Sequence, residues 1–357
     1  MTNSLNQNKT ASGQVQTVLG PVAPDSLGPT SMHEHLLLSL DCYFAVPEEA
    51  SERSYIDRPM SIDLLGGLAG RWNHHRDSMN LIDERVAIEE ATEWRLEGGG
   101  TIVDATSLGI GRDPLALTRI SRATGLNVVM GAGYYVPTSH PADMDDISED
   151  DIVERIVRDV TQGVGDTGVR SGIIGEIGCV YPLPPNVIKT VRAAGRAQAL
   201  TGAPILIHPG HKQTAPAEIL EILVKNGATP GNVVLGHLDV RIADNAILAD
   251  LAQAGTFLEF DTFGLEEGAY GGDPTAVPMP SDAQKLDMVE FLVGLGHADQ
   301  VVMAHDVCHR WRFGRFGGNG YGHILTNMVP RMRARGFSSE DIDTILVKNP
   351  ARALAFA

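Results

Sequence analysis

Ser31-Met32-His33-Glu34-His35-Leu36-Leu37-Leu38 is the stretch on which the reading of this chain turns. As an extended strand it sends alternate side chains to opposite faces. His33 and His35 then share one face, and Glu34 points the other way. Two imidazoles on one strand face can grip a cation. Two hydrogen-bonded histidines at a strand end are the plainer alternative, and the rest of the chain decides between them.

Working outward, the same kind of short apolar run recurs seven more times. The runs are Thr101–Ser107, Asn127–Tyr135, Gly172–Gly178, Pro204–Pro209, Asn232–Asp239, Thr256–Asp261 and Gln300–Asp306. Helical periodicity fills the intervals, over Glu84–Leu96, Pro114–Thr124, Ile152–Val164, Asn186–Thr201, Ala215–Asn226, Ala243–Ala254 and Asp282–Gly294. Two further helices, Ile324–Arg335 and Ser339–Phe356, close the chain. Eight strands alternating with helices predict an α/β protein of the (β/α)8 TIM-barrel class. A doubly wound open sheet is the alternative, but its phosphate fingerprint is missing. Gly109-Ile-Gly111 and Gly131-Ala-Gly133 each lack the third glycine. Gln14–Pro24 breaks at Gly20-Pro21 and reads as an N-terminal β-hairpin strap. Residues 1–14 read as a flexible tail and residues 15–357 as one barrel domain. Asp41–Asp83, Thr262–Ser281 and Val307–His323 are long for plain barrel loops and leave the C-terminal ends of strands, where barrel enzymes build their sites.

Of the 357 residues, 43% are apolar and 20% charged, enough for a sizeable core. A net charge of −17 speaks against nucleic acid or an anionic membrane as the main partner. Cys42, Cys179 and Cys308 form no CxxC pair, and residues 1–14 lack the apolar core of a signal peptide. No run of about 18 apolar residues offers a membrane span. The expectation is a cytoplasmic protein acting on a small molecule.

A barrel brings the ends of its strands to one mouth. Glu176 ends the fourth run, His208 the fifth, His237 the sixth and Asp306 the eighth. With His33 and His35 they make six metal-ligating residues from five strands. Four histidines and two carboxylates exceed one tetrahedral zinc and suit two cations. Such a pair, about 3.5–4 Å apart, acidifies a shared water and polarises a scissile oxygen.

Gly28-Pro-Thr-Ser-Met-His-Glu-His-Leu36, these strand ends, Ala304-His-Asp306 and Asn349-Pro-Ala-Arg352 together resemble the phosphotriesterase family of the amidohydrolase superfamily. Gly172–Cys179, Ile207–Gly210 and Gly317–Asn327 resemble its phosphotriesterase-related branch. The resemblance implies one metal on His33, His35 and Asp306 and a second on His208 and His237. Glu176, where the founding members have a carboxylated lysine, would bridge the two together with a hydroxide. Zinc is the first expectation; manganese, cobalt and iron suit the same donors. Asp306 would be both ligand and catalytic proton carrier. The implied activity is binuclear metal-dependent hydrolysis of an acyl substrate with an anionic end, such as an N-acyl amino acid or N-acyl taurine. Lactone or phosphotriester hydrolysis is the alternative, and a non-catalytic ligand-binding protein on the same scaffold is a different class. Relatives imply a homodimer.

Tyr134 and Tyr135 end the third run, and one of them is expected at the substrate. Lys212, just past His208, is a candidate for a substrate anion. Arg310, Trp311, Arg312 and Arg315 in the last loop are expected to recognise a carboxylate or sulfonate. Glu34 is expected to pair with a helix-side cation such as Arg352. Asp104 and Asp261 are either partners of metal histidines or strand-end hydrogen-bond acceptors. His74 and His75 are expected in solvent, His305 towards the helices, and His309 and His323 beside the mouth. The acidic run Asp143–Asp151 is expected to feed a helix N-terminus.

Overall fold

In a computed structural model, residues 12–266 and 278–357 are described. The hairpin β1 (Val15–Thr17) and β2 (Gly20–Val22) precedes the first barrel strand, β3 (Thr30–Glu34). β4 (Leu38–Ser39) and β5 (Asn80–Leu81) pair as a small antiparallel ribbon at the two ends of the long first loop. The remaining barrel strands are β6 (Thr101–Asp104), β7 (Asn127–Ala132), β8 (Ile173–Gly178), β9 (Ile205–His208), β10 (Val233–Leu235), β11 (Phe257–Phe260) and β12 (Val301–Met303). They run parallel in the order β12-β11-β10-β9-β8-β7-β6-β3. Just past β12, the Asp306 N–H donates to the His33 carbonyl at 3.1 Å and joins the last strand segment to the first. The predicted TIM barrel is therefore the observed one.

The strands read as near-continuous apolar runs because both their faces are covered. One residue from each contributes to a single buried cluster: Met32, Val103, Val129, Ile173, Leu206, Val234, Phe257 and Val302. Val15, Leu27 and Leu354 join it at the N-terminal end of the barrel. There the Val18 N–H donates to Val128 at the start of β7, and Phe356 donates to Gln14 (3.0 Å). Intervening residues such as Ile174, Ile207, Leu235 and Leu258 pack against the helices instead. Further along the inner face the apolar residues give way to polar ones. Leu206 is followed by His208, and Phe257 by Glu259 and Asp261. Register shifts in β3, between Ser31 and Glu34, and in β8, between Ile174 and Ile177, adjust which side chains reach that layer.

The acidic run does feed a helix. Ser148 and Asp151 form a reciprocal capping box at the start of Glu149–Thr161. The last two helices depart from the predicted continuous α-helix. Each contains a wide π-turn, Ile324–Met328 and Thr344–Lys348, that ends two residues before Pro330 or Pro350. A proline ring clashes with the carbonyl four residues back, and the wider turn relieves that clash. Of the expected tail, residues 1–11 lie outside the described residues, as do residues 267–277 of the loop after β11. Among the described residues no helix is long and apolar enough to cross a membrane.

Candidate metal centre

The polar layer at the mouth brings all six candidate ligands together. His33, His35 and Asp306 place ligand atoms within 4.8 Å of one another, and so do Glu176, His208 and His237. All six are buried. Glu176 lies between the two groups. Its Oε1 is 3.4 Å from His35 Nε2, and its Oε2 is 3.0 Å from His208 Nδ1, 3.5 Å from His33 Nε2 and 3.6 Å from His237 Nε2. Asp306 Oδ1 is 3.3 Å from His35 Nε2. His237 and Asp306 hold their side chains from left-handed backbone, with φ of 56° and 48°. That conformation costs a non-glycine residue of order 1–2 kcal/mol, so the surroundings must enforce it.

The outer hydrogen bonds decide which ring nitrogens are free. The Thr106 hydroxyl donates to the Leu37 carbonyl (3.0 Å), so it accepts from His35 Nδ1–H (2.9 Å). The His35 Nε2 lone pair then faces Asp306 and Glu176. His237 Nδ1–H donates to Asp261 at 2.8 Å, and the His237 main-chain N–H donates to the same carboxylate. His33 Nδ1 lies 3.2 Å from both Glu259 and Asp261. Burial alone would lower His237, but the Asp261 charge and hydrogen bond outweigh it and raise the ring to about 10. Burial and the neighbouring His237 charge push His208 down to about 3. His237 Nε2 and His208 Nδ1 face each other 2.8 Å apart.

These donors fit divalent cations. Glu176, Asp261 and Glu259 are buried, and their ion pairs are all with histidines. Burial pushes Glu259 up to about 8, against the pull of His33. His33 Nε2 is buried with no hydrogen-bond partner among the described residues. Buried carboxylates around an orphaned imidazole nitrogen, with two further imidazole nitrogens facing each other, are the chemistry a cation would complete.

Above this layer lies a cavity of about 200 Å³. Ring contacts run along its wall from His208 to Tyr135 (5.2 Å between centroids), Tyr43 (6.1 Å), Trp72 (5.5 Å), His309 (5.3 Å) and Trp311 (6.2 Å). Leu40, Leu265 and Met279 add apolar surface, and Asn73 and His211 polar edges.

A family model described as "Phosphotriesterase family" matches residues 13–354. The chain belongs to the phosphotriesterase family. An N-acetyltaurine hydrolase of Tetraodon nigroviridis is 40% identical over 346 residues, 97% of this chain and 99% of that protein. A solved resiniferatoxin-binding protein from Rhodobacter sphaeroides superposes with a TM-score of 0.91 at 36% identity, over 96% of this chain and 95% of that one. A lactonase from Listeria monocytogenes gives 0.77 at 25% identity, over 96% and 99%. With full-length hydrolase relatives at this identity, the chain is a hydrolase.

The sequence-level candidates for substrate contact divide on this phosphotriesterase-family barrel. Tyr135, Trp311 and Arg312 line the cavity. Tyr134 does not. Its phenol accepts from Arg155 (3.0 Å) on the helix side, as alternation requires of a neighbour of Tyr135. Lys212 is exposed, its ammonium on the Tyr181 hydroxyl at 3.0 Å. Arg310 is hydrogen-bonded to Asp77 and Arg315 to Glu89, so neither guanidinium serves the cavity as expected. Tyr43, Trp72 and Asn73 were missed. Their signal was three cavity-sized side chains in a long loop leaving the first strand.

Other expectations are corrected by the same geometry. Glu34 does not meet Arg352, which donates to the Asp299 carbonyl. It accepts instead from Ser31, from the His305 ring and main chain, and from the Val307 N–H. His305 faces the helices, as expected, and accepts from Ile324 N–H. Asp104 caps backbone, accepting from Leu36 and Thr106 N–H, whereas Asp261 accepts from His237, one of the candidate ligands. His75 is buried rather than exposed, accepting from Ser78 N–H. His323 is held by Asp282 and lies outside the cavity lining, while His309 lies in it.

Proposed function

We propose that this hydrolase cleaves the amide of a small N-acyl substrate with an anionic end, an N-acyl taurine or N-acyl amino acid, with N-acetyltaurine first to test. The observation that carries the reading is the complete set of six buried ligands, with Glu176 between its halves, in a chain matching N-acetyltaurine hydrolases along its whole length. His33, His35 and Asp306 would hold one divalent cation and His208 and His237 the other, with Glu176 between them. Two such ions, zinc first, would supply an acidified water and an electrophile for the carbonyl. Asp306 is buried at the mouth, and its carboxylate, held low by His35 and the charges of His33 and His237 against the effect of burial, is placed to take the proton. Asp261 and Thr106 keep the ring nitrogens of His237 and His35 aimed inward. Tyr135, Tyr43 and Trp311 shape the acyl pocket and exclude water. The free thiols Cys42, Cys179 and Cys308 support a reducing, cytoplasmic setting, and the family resemblance supports a homodimer.

The test is a panel of N-acyl taurines, N-acyl amino acids, lactones and phosphotriesters on zinc- or manganese-loaded protein, with Glu176→Ala as control. Preference for the N-acyl anions, lost in the control along with bound metal, is the expected result. Lactone or phosphotriester turnover above amide turnover would replace this substrate class. A binding protein is the second reading, favoured by the aromatic wall and the likeness to the resiniferatoxin-binding protein. Stoichiometric metal with no turnover on the whole panel would establish it.

A further inference from the structure

Arg312 is nearly fully buried, and its guanidinium is paired with no carboxylate among the described residues. Three of its N–H groups meet main-chain carbonyls: His305 (2.8 Å) and Asp306 (3.1 Å) through one terminal nitrogen, and Phe263 (2.9 Å) through the other. Those carbonyls belong to the segments that leave β12 and β11. One of them is the carbonyl of Asp306, whose backbone is left-handed.

The glycine-rich stretch after it is built around this arginine. Gly320 N–H donates to the Arg312 carbonyl at 2.9 Å. A Cβ on Gly318 would stand 2.3 Å from the Arg312 carbonyl carbon and oxygen, so that position must stay glycine. Farther on, the Tyr321 hydroxyl donates to the His35 carbonyl (2.7 Å) and Ile324 N–H to the His305 ring (3.0 Å). From Glu90, a buried carboxylate accepts Gly314 and Arg315 N–H and anchors the loop from outside.

We infer that Arg312, set in the Gly317–Tyr321 loop, is a positioning residue that locks the backbone of Asp306 and so holds its carboxylate in the metal site, rather than a receptor for the substrate anion. The inference rests on the hydrolase reading for its kinetic arm only. A planar guanidinium holds these carbonyls through two terminal nitrogens set apart in a fixed fork, a geometry that the single nitrogen of a lysine does not reproduce.

The test compares full-length wild type with Arg312→Ala and Arg312→Lys. For Arg312→Ala, kcat is expected to fall about 10–100-fold, the range typical of residues that orient metal ligands, with KM within about twofold. Zinc titration should read close to one tightly held ion in place of two, because His208, His237 and Glu176 are untouched. Millimolar guanidinium ion should restore part of kcat, and Arg312→Lys should recover less than half. A rise in KM with kcat preserved would overturn the inference in favour of anion recognition. So would unchanged kcat and metal stoichiometry in a variant whose Tm alone has dropped. Should Arg312→Ala fail to fold, Arg312→Lys carries the same two readouts. If wild-type protein binds two ions yet turns over nothing, the hydrolase reading fails, and the titration alone judges Arg312.

Discussion

Thr106 is the smallest residue with a large say in the site. Its hydroxyl has one proton, and the Leu37 carbonyl takes it, so His35 must donate through Nδ1. Thr106→Val should release the ring to either tautomer and weaken metal binding or activity about 10–100-fold, while Thr106→Ser keeps most of both. Metal titration at fixed pH checks this. The gathering of the six candidate ligands was legible because each polar residue interrupts or ends an apolar run, and the barrel period carries such residues to one mouth. Partners were less legible. Arg310 meets Asp77 across 233 residues, and Glu34 meets His305 rather than Arg352. Such pairings depend on loop paths that no local spacing encodes. Tyr134 and Tyr135 could be placed at a strand end but not assigned to faces until the register was known.

Among the elements, the helix Asp282–Gly294 holds the described start of the loop after β11. Lys285 is buried and donates to the carbonyls of Thr262 and Leu265 (2.6 Å each), and Asp282 accepts from His323 (2.6 Å) and Gly264 N–H (2.9 Å). Lys285→Met should cost about 3 kcal/mol by leaving those carbonyls and Asp282 without their cation, read as a lower denaturation midpoint. Burial alone would raise the Asp282 carboxyl, but the His323 hydrogen bond, the Lys285 charge and the Gly264 N–H hold it well below the usual carboxylate range. A carboxyl lowered in the fold stabilises above its unfolded value near 4 and loses that contribution as pH falls towards its folded value. Asp282→Asn should therefore be less stable than wild type at pH 7, and the gap should close between about pH 4 and pH 2. Unfolding curves across that range decide it. The helices themselves were legible from their caps. Their π-turns were not, because periodicity does not register one extra residue in a turn.

At the scale of the molecule, the two described chain ends meet under the barrel floor. Gly13 N–H donates to Phe356, Phe356 N–H to Gln14, and Ala357 N–H to Gly202. Phe356 is buried there. Removing residues 355–357 should cost about 2–3 kcal/mol, most of it the aromatic burial, and should leave kcat unchanged because the floor is the end opposite the mouth. Thermal unfolding beside steady-state kinetics separates the two effects. The barrel class was legible from eight runs alternating with helices; that Gly13–Gln14 and Phe356–Ala357 would meet at its base was not, since neither segment carries a strong pattern.

The seam of the barrel runs through its chemistry. Glu34 and His305, 271 residues apart, are hydrogen-bonded where β3 meets the segment after β12, and the adjacent His33 and Asp306 close the ring. On a ribosome the His33–His35 strand emerges first and waits for its partner, roughly 15–55 s at ordinary rates of synthesis. Through that interval the nascent chain gains Glu176, His208 and His237 but still lacks Asp306, the last of the six candidate ligands. Completion of the ring and completion of the candidate ligand set are one late event, so uptake of the full complement of cations by newly made protein should time the last step of its maturation.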